Sequence, residues 1–155
     1  MKELIILVAN IGGGKSTITK KYQKNGYIVI SRDTLRYAIG GGNYIFNYDH
    51  ESIIFRTEFY MLEAFMEIGA NIVVDEVNIN KLMRLRYINL AKDYGYKVKC
   101  HLLPKLTMKE SVNRRIKCPH GDYTRKVWEN IWKNFNNQYE KPTLSEGFDE
   151  IIKGE

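Results

Sequence analysis

Short apolar runs alternate with longer amphipathic segments along this chain. Five runs are predicted as strands: Leu4–Ala9, Tyr27–Ser31, Asn71–Asp75, Tyr96–Leu103 and the short Gly147–Lys153. Six segments with helical spacing of apolar residues are predicted as helices: Lys15–Lys24, Asp33–Ile39, His50–Ile68, Asn80–Tyr94, Thr107–Lys117 and Thr124–Tyr139. Such alternation is typical of an α/β protein, so we expect a parallel sheet of about five strands with helices on both faces.

Composition narrows the class of protein. With 155 residues, 44% of them hydrophobic, the chain has the size and apolar content of one domain, predicted to span residues 1–155. No apolar stretch approaches the roughly 20 residues that span a bilayer, so we expect no membrane contact. Cys100 and Cys118 lack metal-ligand spacing and no signal peptide is recognisable, which favours the cytoplasm. The net charge of +6 favours polyanionic partners only weakly, and the oligomeric state stays open.

The loop after the first strand carries the strongest chemical signal. Residues 9–16 read ANIGGGKS, which is the Walker A spacing with Ala9 in place of the first glycine. The glycines allow backbone N–H groups to surround phosphates, and the following helix directs its positive end at the same place. We therefore expect ATP, with Lys15 on the β- and γ-phosphates and Ser16 on Mg²⁺. The predicted nucleotide-binding residues are Asn10, Ile11, Gly12, Gly13, Gly14, Lys15, Ser16 and Thr17.

Two predicted strands end in an aspartate, at the edge of the sheet where ligands of α/β proteins bind. Asp33 is either the N-cap of a helix or a general base that accepts the proton of an attacking hydroxyl. Arg36 would share its helix face and could bind a phosphate on the acceptor. Asp75 is predicted to hold Mg²⁺ or to orient a nearby arginine.

The motifs GGGKST, SRDTLR and VVDEVNIN, in this order, resemble the 5′-polynucleotide kinase domain of phage-type end-healing enzymes. The resemblance implies a P-loop NTPase fold and makes Asp33 the general base. It assigns Arg36 to the 3′-phosphate of the acceptor and Asp75 to the support of Arg36. Asn78 matches the family's D-x-N element only loosely and is expected at the substrate.

The same resemblance implies a helical lid over ATP, at about residues 111–126. Arg114 fits the family's first lid arginine, which stabilises charge on the transferred phosphoryl group and makes Arg114 both catalytic and nucleotide-binding. Cys118 stands where the family has its second arginine. Either Lys117 or Arg125 then replaces that arginine, or the lid works differently.

An acceptor loop of this chain's own joins the predicted short and long helices. Its side chains Tyr44, Phe46 and Tyr48 either stack on an acceptor base or pack the loop onto the long helix. The sequence does not separate these two interpretations.

The leading hypothesis is therefore ATP-dependent and Mg²⁺-dependent phosphorylation of a 5′-hydroxyl end of DNA or RNA. The nearest alternative is the same chemistry on a nucleoside, a hydroxymethylated base, an antibiotic or a sugar. A P-loop ATPase with Glu76 as the water-polarising residue, and a non-catalytic nucleic-acid binder, are further alternatives. No D-x-D-G-T motif is present, so we expect a kinase without the phosphatase that some relatives carry.

Overall fold

The computed structural model describes residues 1–154. Five strands form one sheet: Glu3–Val8 (β1), Ile28–Ile30 (β2), Ile72–Val74 (β3), Lys97–Leu102 (β4) and Glu150–Lys153 (β5). Their order is β2-β3-β1-β4-β5, and every neighbouring pair is parallel. The predicted five-stranded parallel sheet is confirmed.

The helices follow the predicted order with shifted ends. Their bounds are Lys15–Lys24 (α1), Arg32–Ile39 (α2), Tyr48–Glu67 (α3), Lys81–Asp93 (α4), Met108–Lys117 (α5) and Arg125–Gln138 (α6). The helix α3 starts earlier than predicted because the Asn47 side chain accepts a hydrogen bond from the Asp49 N–H, at 2.9 Å, and caps it. The strand β5 starts later than predicted because Gly147 ends the 3₁₀ turn Leu144–Glu146 with a left-handed φ of 111° and pairing with β4 begins only at Glu150. No helix within residues 1–154 is long and apolar enough to cross a membrane.

Helices cover both faces of the sheet, as predicted. Alternate residues of β1 point to opposite faces. Leu4 and Ile6 lie in a cluster with residues of α3 and α4, whereas Ile5 and Leu7 lie in a cluster with Ile18 of α1. A third cluster, of Ile11, Val112, Trp128 and their neighbours, joins α5 and α6 to the loop after β1. The two helices of the predicted lid are therefore attached to the body of the protein beside this loop.

Buried polar groups fix the connection between β3 and α4. Asn78 is 1% exposed, has a φ of 46°, and donates its side-chain N–H to the carbonyl of Leu7 at 2.9 Å. Arg84 is fully buried and donates from Nη1 to the carbonyl of Asn78 at 2.9 Å. Its Nε and Nη2 atoms bind the two carboxylate oxygens of Glu146 at 2.7 and 2.9 Å. The path of the chain beyond β3 thus depends on a buried ion pair.

The substitution Glu146→Gln should destabilise the protein by about 3–5 kcal/mol, because it leaves the charge of Arg84 buried and uncompensated. Urea unfolding followed by circular dichroism measures the loss. The matched control is Lys92→Ala, which removes the exposed ion pair with Asp149 and should cost at most about 1 kcal/mol. Equal losses in the two variants would contradict a special role for the buried pair.

Candidate active site

The loop between β1 and α1 has the backbone of a phosphate-binding loop. Gly12 and Gly14 adopt left-handed φ angles of 62° and 96°. A Cβ atom on Gly12 would overlap the carbonyl oxygen of Ser111, so α5 lies directly against the loop. Gly14 is the N-cap of α1, and because glycine has no side chain, no side chain caps the N–H groups of the first turn. The helix therefore presents its positive end to the space above the loop.

The side chains of the loop are placed for an anionic ligand. Lys15 donates from Nζ to the carbonyls of Ala9 and Asn10, at 3.2 and 3.1 Å, so the ammonium lies over the loop. Burial lowers the pKa of Lys15, and the negative charge of Asp75 opposes that shift. Ser16 and Thr17 are exposed on the first turn of α1. The ammonium of Lys15, the two hydroxyls and the free end of α1 fit the phosphates of a nucleoside triphosphate.

Asn10 and Ile11 have a different part in the site from the one expected for ligand contacts. Asn10 donates its side-chain N–H to the carbonyl of Trp132 in α6, at 3.0 Å. Ile11 packs beside Val112 and Trp128. Both side chains hold the loop against the lid helices, so any contact that they make with nucleotide must come from their backbone.

Asp75 lies behind Lys15, at the end of β3. Its Oδ2 atom is 2.9 Å from the hydroxyl of Thr19 on α1. Burial raises the pKa of Asp75, while Lys15 and the Thr19 hydrogen bond oppose the shift. The carboxylate of Asp75 and the exposed hydroxyl of Ser16 are oxygen ligands of the kind that suit Mg²⁺ bound to phosphates. Metal binding by Ser16 and Asp75 stays a prediction.

Asp33 is not the N-cap of α2, which corrects one of the two interpretations above. Ser31 is the cap, and its hydroxyl accepts from the N–H of Thr34 at 3.4 Å. Asp33 Oδ1 instead accepts from Arg36 Nη1 at 2.7 Å and from the Tyr44 hydroxyl at 3.1 Å. Burial alone would raise the pKa of Asp33, but the positive charges of His120 and Arg36 and these hydrogen bonds hold it below its usual value. The carboxylate is therefore ionised at neutral pH.

Arg36 is held by carboxylates on two helices. Besides Asp33, it binds Glu51 of α3 through Nε at 3.0 Å and Nη2 at 2.6 Å, and it is 8% exposed. The expected support of Arg36 by Asp75 is wrong, because Asp75 binds Thr19. Glu51 was missed because its spacing from Arg36 forms no motif.

Two further residues of the VVDEVNIN motif bind partners within the fold. Asn78 was expected at the substrate, but its side-chain amide is buried against the carbonyl of Leu7. Glu76 accepts from the backbone N–H of Arg32 at 2.7 Å and from its Nη2 at 2.9 Å. Both carboxylate oxygens of Glu76 are therefore engaged in holding Arg32.

The lid presents arginines to the loop. A Cβ atom on Gly14 would lie 3.9 Å from Nη1 of Arg114, so this predicted lid arginine is next to the loop. Lys117 is exposed at the end of α5. Arg125 binds the side chain of Asn113 at 2.9 Å and ties α6 to α5. It is thus occupied between the lid helices.

Arg115 is the lid residue that the sequence analysis missed. Its positive charge lowers the pKa of Lys15, and its guanidinium lies 5.4 Å from the ring centre of Trp128. Its Nε atom is buried without a hydrogen-bond partner among the described residues. Its spacing could have indicated this position, because Arg115 is four residues beyond Ser111 and so shares the helix face that lies on the loop.

The aromatic acceptor loop packs against several partners. The ring of Tyr44 stacks on His120 of the lid, with centroids 5.1 Å apart. Phe46 lies 5.3 Å from the guanidinium of Arg36, whereas Tyr48 is 86% exposed. Tyr44 therefore packs onto the lid, an arrangement that neither sequence interpretation included.

A phosphate-binding loop between β1 and α1, at the carboxyl edge of a parallel sheet, defines a P-loop NTPase fold. The chain belongs to the AAA domain family, whose pattern matches residues 4–142.

Similar folds occur in several solved structures. A chain of the Pnkp1/Rnl/Hen1 RNA repair complex superposes with a TM-score of 0.69 and 17% identity, over 90% of this chain and 46% of that one. Kti12 of Chaetomium thermophilum, in complex with ADP-AlF3, gives 0.64 and 17% over 97% and 87% of the two chains. The Mycobacterium tuberculosis APS kinase CysC, with AMPPNP and APS, gives 0.61 and 15% over 98% and 88%. The present chain spans less than half of its match in the repair complex, and these likenesses establish a P-loop kinase-like fold.

The substitution Gly12→Ala should weaken ATP binding and destabilise the protein more than a left-handed alanine does by itself. The backbone strain costs about 1–2 kcal/mol, and the overlap with Ser111 should add about 1–3 kcal/mol. Urea unfolding and titration with a fluorescent ATP analogue measure the two effects.

Gly41→Ala is the matched control for this prediction. Gly41 has a φ of 61°, against 62° for Gly12, but its Cβ atom would meet nothing within 4 Å. Its alanine variant should show the strain and retain nucleotide affinity. If both variants behaved alike, the close approach of α5 would not matter.

Proposed function

We propose that this chain transfers the γ-phosphoryl group of ATP to a hydroxyl group, and that the acceptor is the 5′-hydroxyl end of DNA or RNA. The observation that carries the proposal is an ionised Asp33 on the acceptor side of the phosphate-binding loop. Burial lowers the pKa of Lys15, and the negative charges of Asp75, Glu76 and Asp33 oppose that shift, so three carboxylates lie near its ammonium. A carboxylate near the P-loop lysine is what transfer to an alcohol requires.

In the proposed reaction the acceptor oxygen attacks the γ-phosphorus while the bond to the leaving oxygen of ADP breaks. The hydroxyl proton goes to Asp33. Lys15 and Arg114 stabilise the negative charge on the phosphoryl oxygens. Ser16 and Asp75 would hold Mg²⁺, which neutralises phosphate charge when bound. Because the pKa of Asp33 is low, its contribution is to orient the hydroxyl and receive its proton late.

A second candidate function is phosphorylation of a small alcohol that has no phosphate next to the reacting hydroxyl. The specific observation is that Asp33 and Glu51 already neutralise Arg36. An acceptor phosphate must displace Glu51 to bind Arg36, whereas a neutral acceptor need not.

The geometry of Glu76 favours either kinase over the ATPase alternative. Its carboxylate binds Arg32 through both oxygens. The guanidinium of Arg32 thus offsets part of the negative charge with which Glu76 would polarise an attacking water. Asp33, which an ATPase would not use, is the carboxylate held in position by several donors.

The deciding experiment incubates the protein with γ-labelled ATP, Mg²⁺ and a panel of acceptors. The panel contains 5′-hydroxyl and 5′-phosphate oligonucleotides of DNA and RNA, nucleosides and small alcohols. We expect label only on the 5′-hydroxyl oligonucleotides, with a loss of at least about 100-fold in Asp33→Asn and in Lys15→Ala. Label on a small alcohol would move the substrate and keep the mechanism. Phosphate release without a labelled acceptor, unchanged in Asp33→Asn, would refute the kinase.

The variant Glu51→Gln, run in the same panel, tests how the acceptor is held. If Arg36 binds an acceptor phosphate, this variant should lower the KM of a 5′-hydroxyl oligonucleotide, whose first nucleotide carries a 3′-phosphate. The control is Asp49→Asn, an exposed carboxylate in the same helical turn. An unchanged KM for the oligonucleotide in Glu51→Gln would argue against binding of that phosphate by Arg36.

A further inference from the structure

The lid loop, residues 118–123 between α5 and α6, reaches across to the acceptor side of the site. His120 is its central contact. The Nε2 atom lies 3.5 Å from Asp33 Oδ2, and Nδ1 lies 2.8 Å from the hydroxyl of Tyr37. The ring of Tyr44 covers one face of the imidazole, at an interplanar angle of 21°. The lid loop therefore meets the same carboxylate that the proposed reaction uses as its base.

The hydrogen bonds around Asp33 leave one position free. Each carboxylate oxygen has two lone pairs. Oδ1 accepts from both Arg36 and Tyr44, which uses its two. Oδ2 faces His120 on one side. When the Tyr37 hydroxyl donates to Nδ1, the imidazole proton lies on Nε2, which is 3.5 Å from Oδ2. One lone pair of Oδ2 then remains for the acceptor hydroxyl.

We propose that His120 is a positioning residue, which holds Oδ2 of Asp33 so that its free lone pair faces the acceptor hydroxyl. Because His120 belongs to the lid, the acceptor site is complete only when the lid loop is docked. The effect of His120 on phosphoryl transfer rests on the proposed kinase function. The contact between His120 and Asp33 is independent of that function.

The charged groups facing His120 come from several elements. Asp33 on α2 raises the pKa of His120, whereas burial and the positive charges of Arg115, Lys15 and Arg36 lower it, with a net shift below the usual value. The remaining neighbours with titratable side chains are Tyr37 and Tyr44. In the neutral imidazole with its proton on Nε2, Nδ1 can accept from the Tyr37 hydroxyl while Nε2 faces Oδ2 of Asp33.

The first test needs no substrate. The chain has 3 histidines, so the Cε1–H signals of His120 can be assigned in a ¹H–¹³C spectrum by comparison with His120→Gln. The pKa of His120 should fall further in Asp33→Asn, because the opposing negative charge is lost, and stay unchanged in the exposed control Asp49→Asn. An unchanged pKa in Asp33→Asn would overturn the contact and the proposal with it.

The second test measures transfer from ATP to a 5′-hydroxyl oligothymidylate by the full chain. His120→Ala should lower kcat by about 10- to 100-fold and leave the KM for ATP unchanged, because the base is misplaced while the nucleotide site is intact. His120→Gln, which keeps an N–H donor near the Nε2 position, should recover part of the loss. The exposed His50→Ala is the control.

The outcomes of the two tests separate the proposals. A kcat for His120→Ala equal to that of His50→Ala would overturn the positioning role even if the contact exists. If the wild-type protein transfers label to no acceptor in the panel, the proposed function fails. The magnetic resonance titration would still decide whether His120 binds Asp33.

Discussion

The close packing of α5 on the phosphate-binding loop is the contact on which the rest of the site depends. No side chain fits between Gly12 and the carbonyl of Ser111. Asn10 binds the backbone of Trp132, and Ile11 packs beneath the lid helices. The lid is thus fixed at its base to the loop that would hold the phosphates, and its far end can reach the acceptor side. A shift of the loop must move α5, and with it Arg114.

The strand order decides which side chains can meet. Because β3 lies between β2 and β1, Asp75 projects between the acceptor side, which follows β2, and the phosphate-binding loop, which follows β1. Its neighbour is then Thr19 on α1, at 2.9 Å. Arg36, one strand farther away, takes its carboxylates from α2 and α3. The two aspartates that look equivalent in the sequence therefore occupy separate positions, one beside the phosphate-binding loop and one on α2 beside Arg36.

Local patterns predicted much of this arrangement, and non-local contacts account for what was missed. The glycine-rich loop, the strands and the shared helix face of Asp33 and Arg36 depend on residues close together in the sequence, so periodicity and spacing suffice to predict them. Glu51 contacts Arg36, and His120 contacts Asp33. Both come from elements whose positions relative to α2 depend on the tertiary fold. Asn78 matched a motif by spacing, but its side-chain amide donates a hydrogen bond to a buried backbone carbonyl. Such choices depend on which unsatisfied groups lie nearby after folding.

Charge is distributed unevenly between the two halves of the site, and this constrains how it can bind ligands. Within residues 1–154, no carboxylate forms an ion pair with Lys15, Arg114 or Arg115. Arg36, in contrast, is paired twice. The loop and α5 would therefore attract phosphate groups, since their cations lack carboxylate partners. On the acceptor side, a phosphate gains little unless Glu51 leaves, because a buried guanidinium that exchanges one carboxylate for another anion has already lost its hydration. The loop and α5 thus carry positive charge without carboxylate partners, whereas Asp33 and Arg36 already hold each other in place by hydrogen bonds.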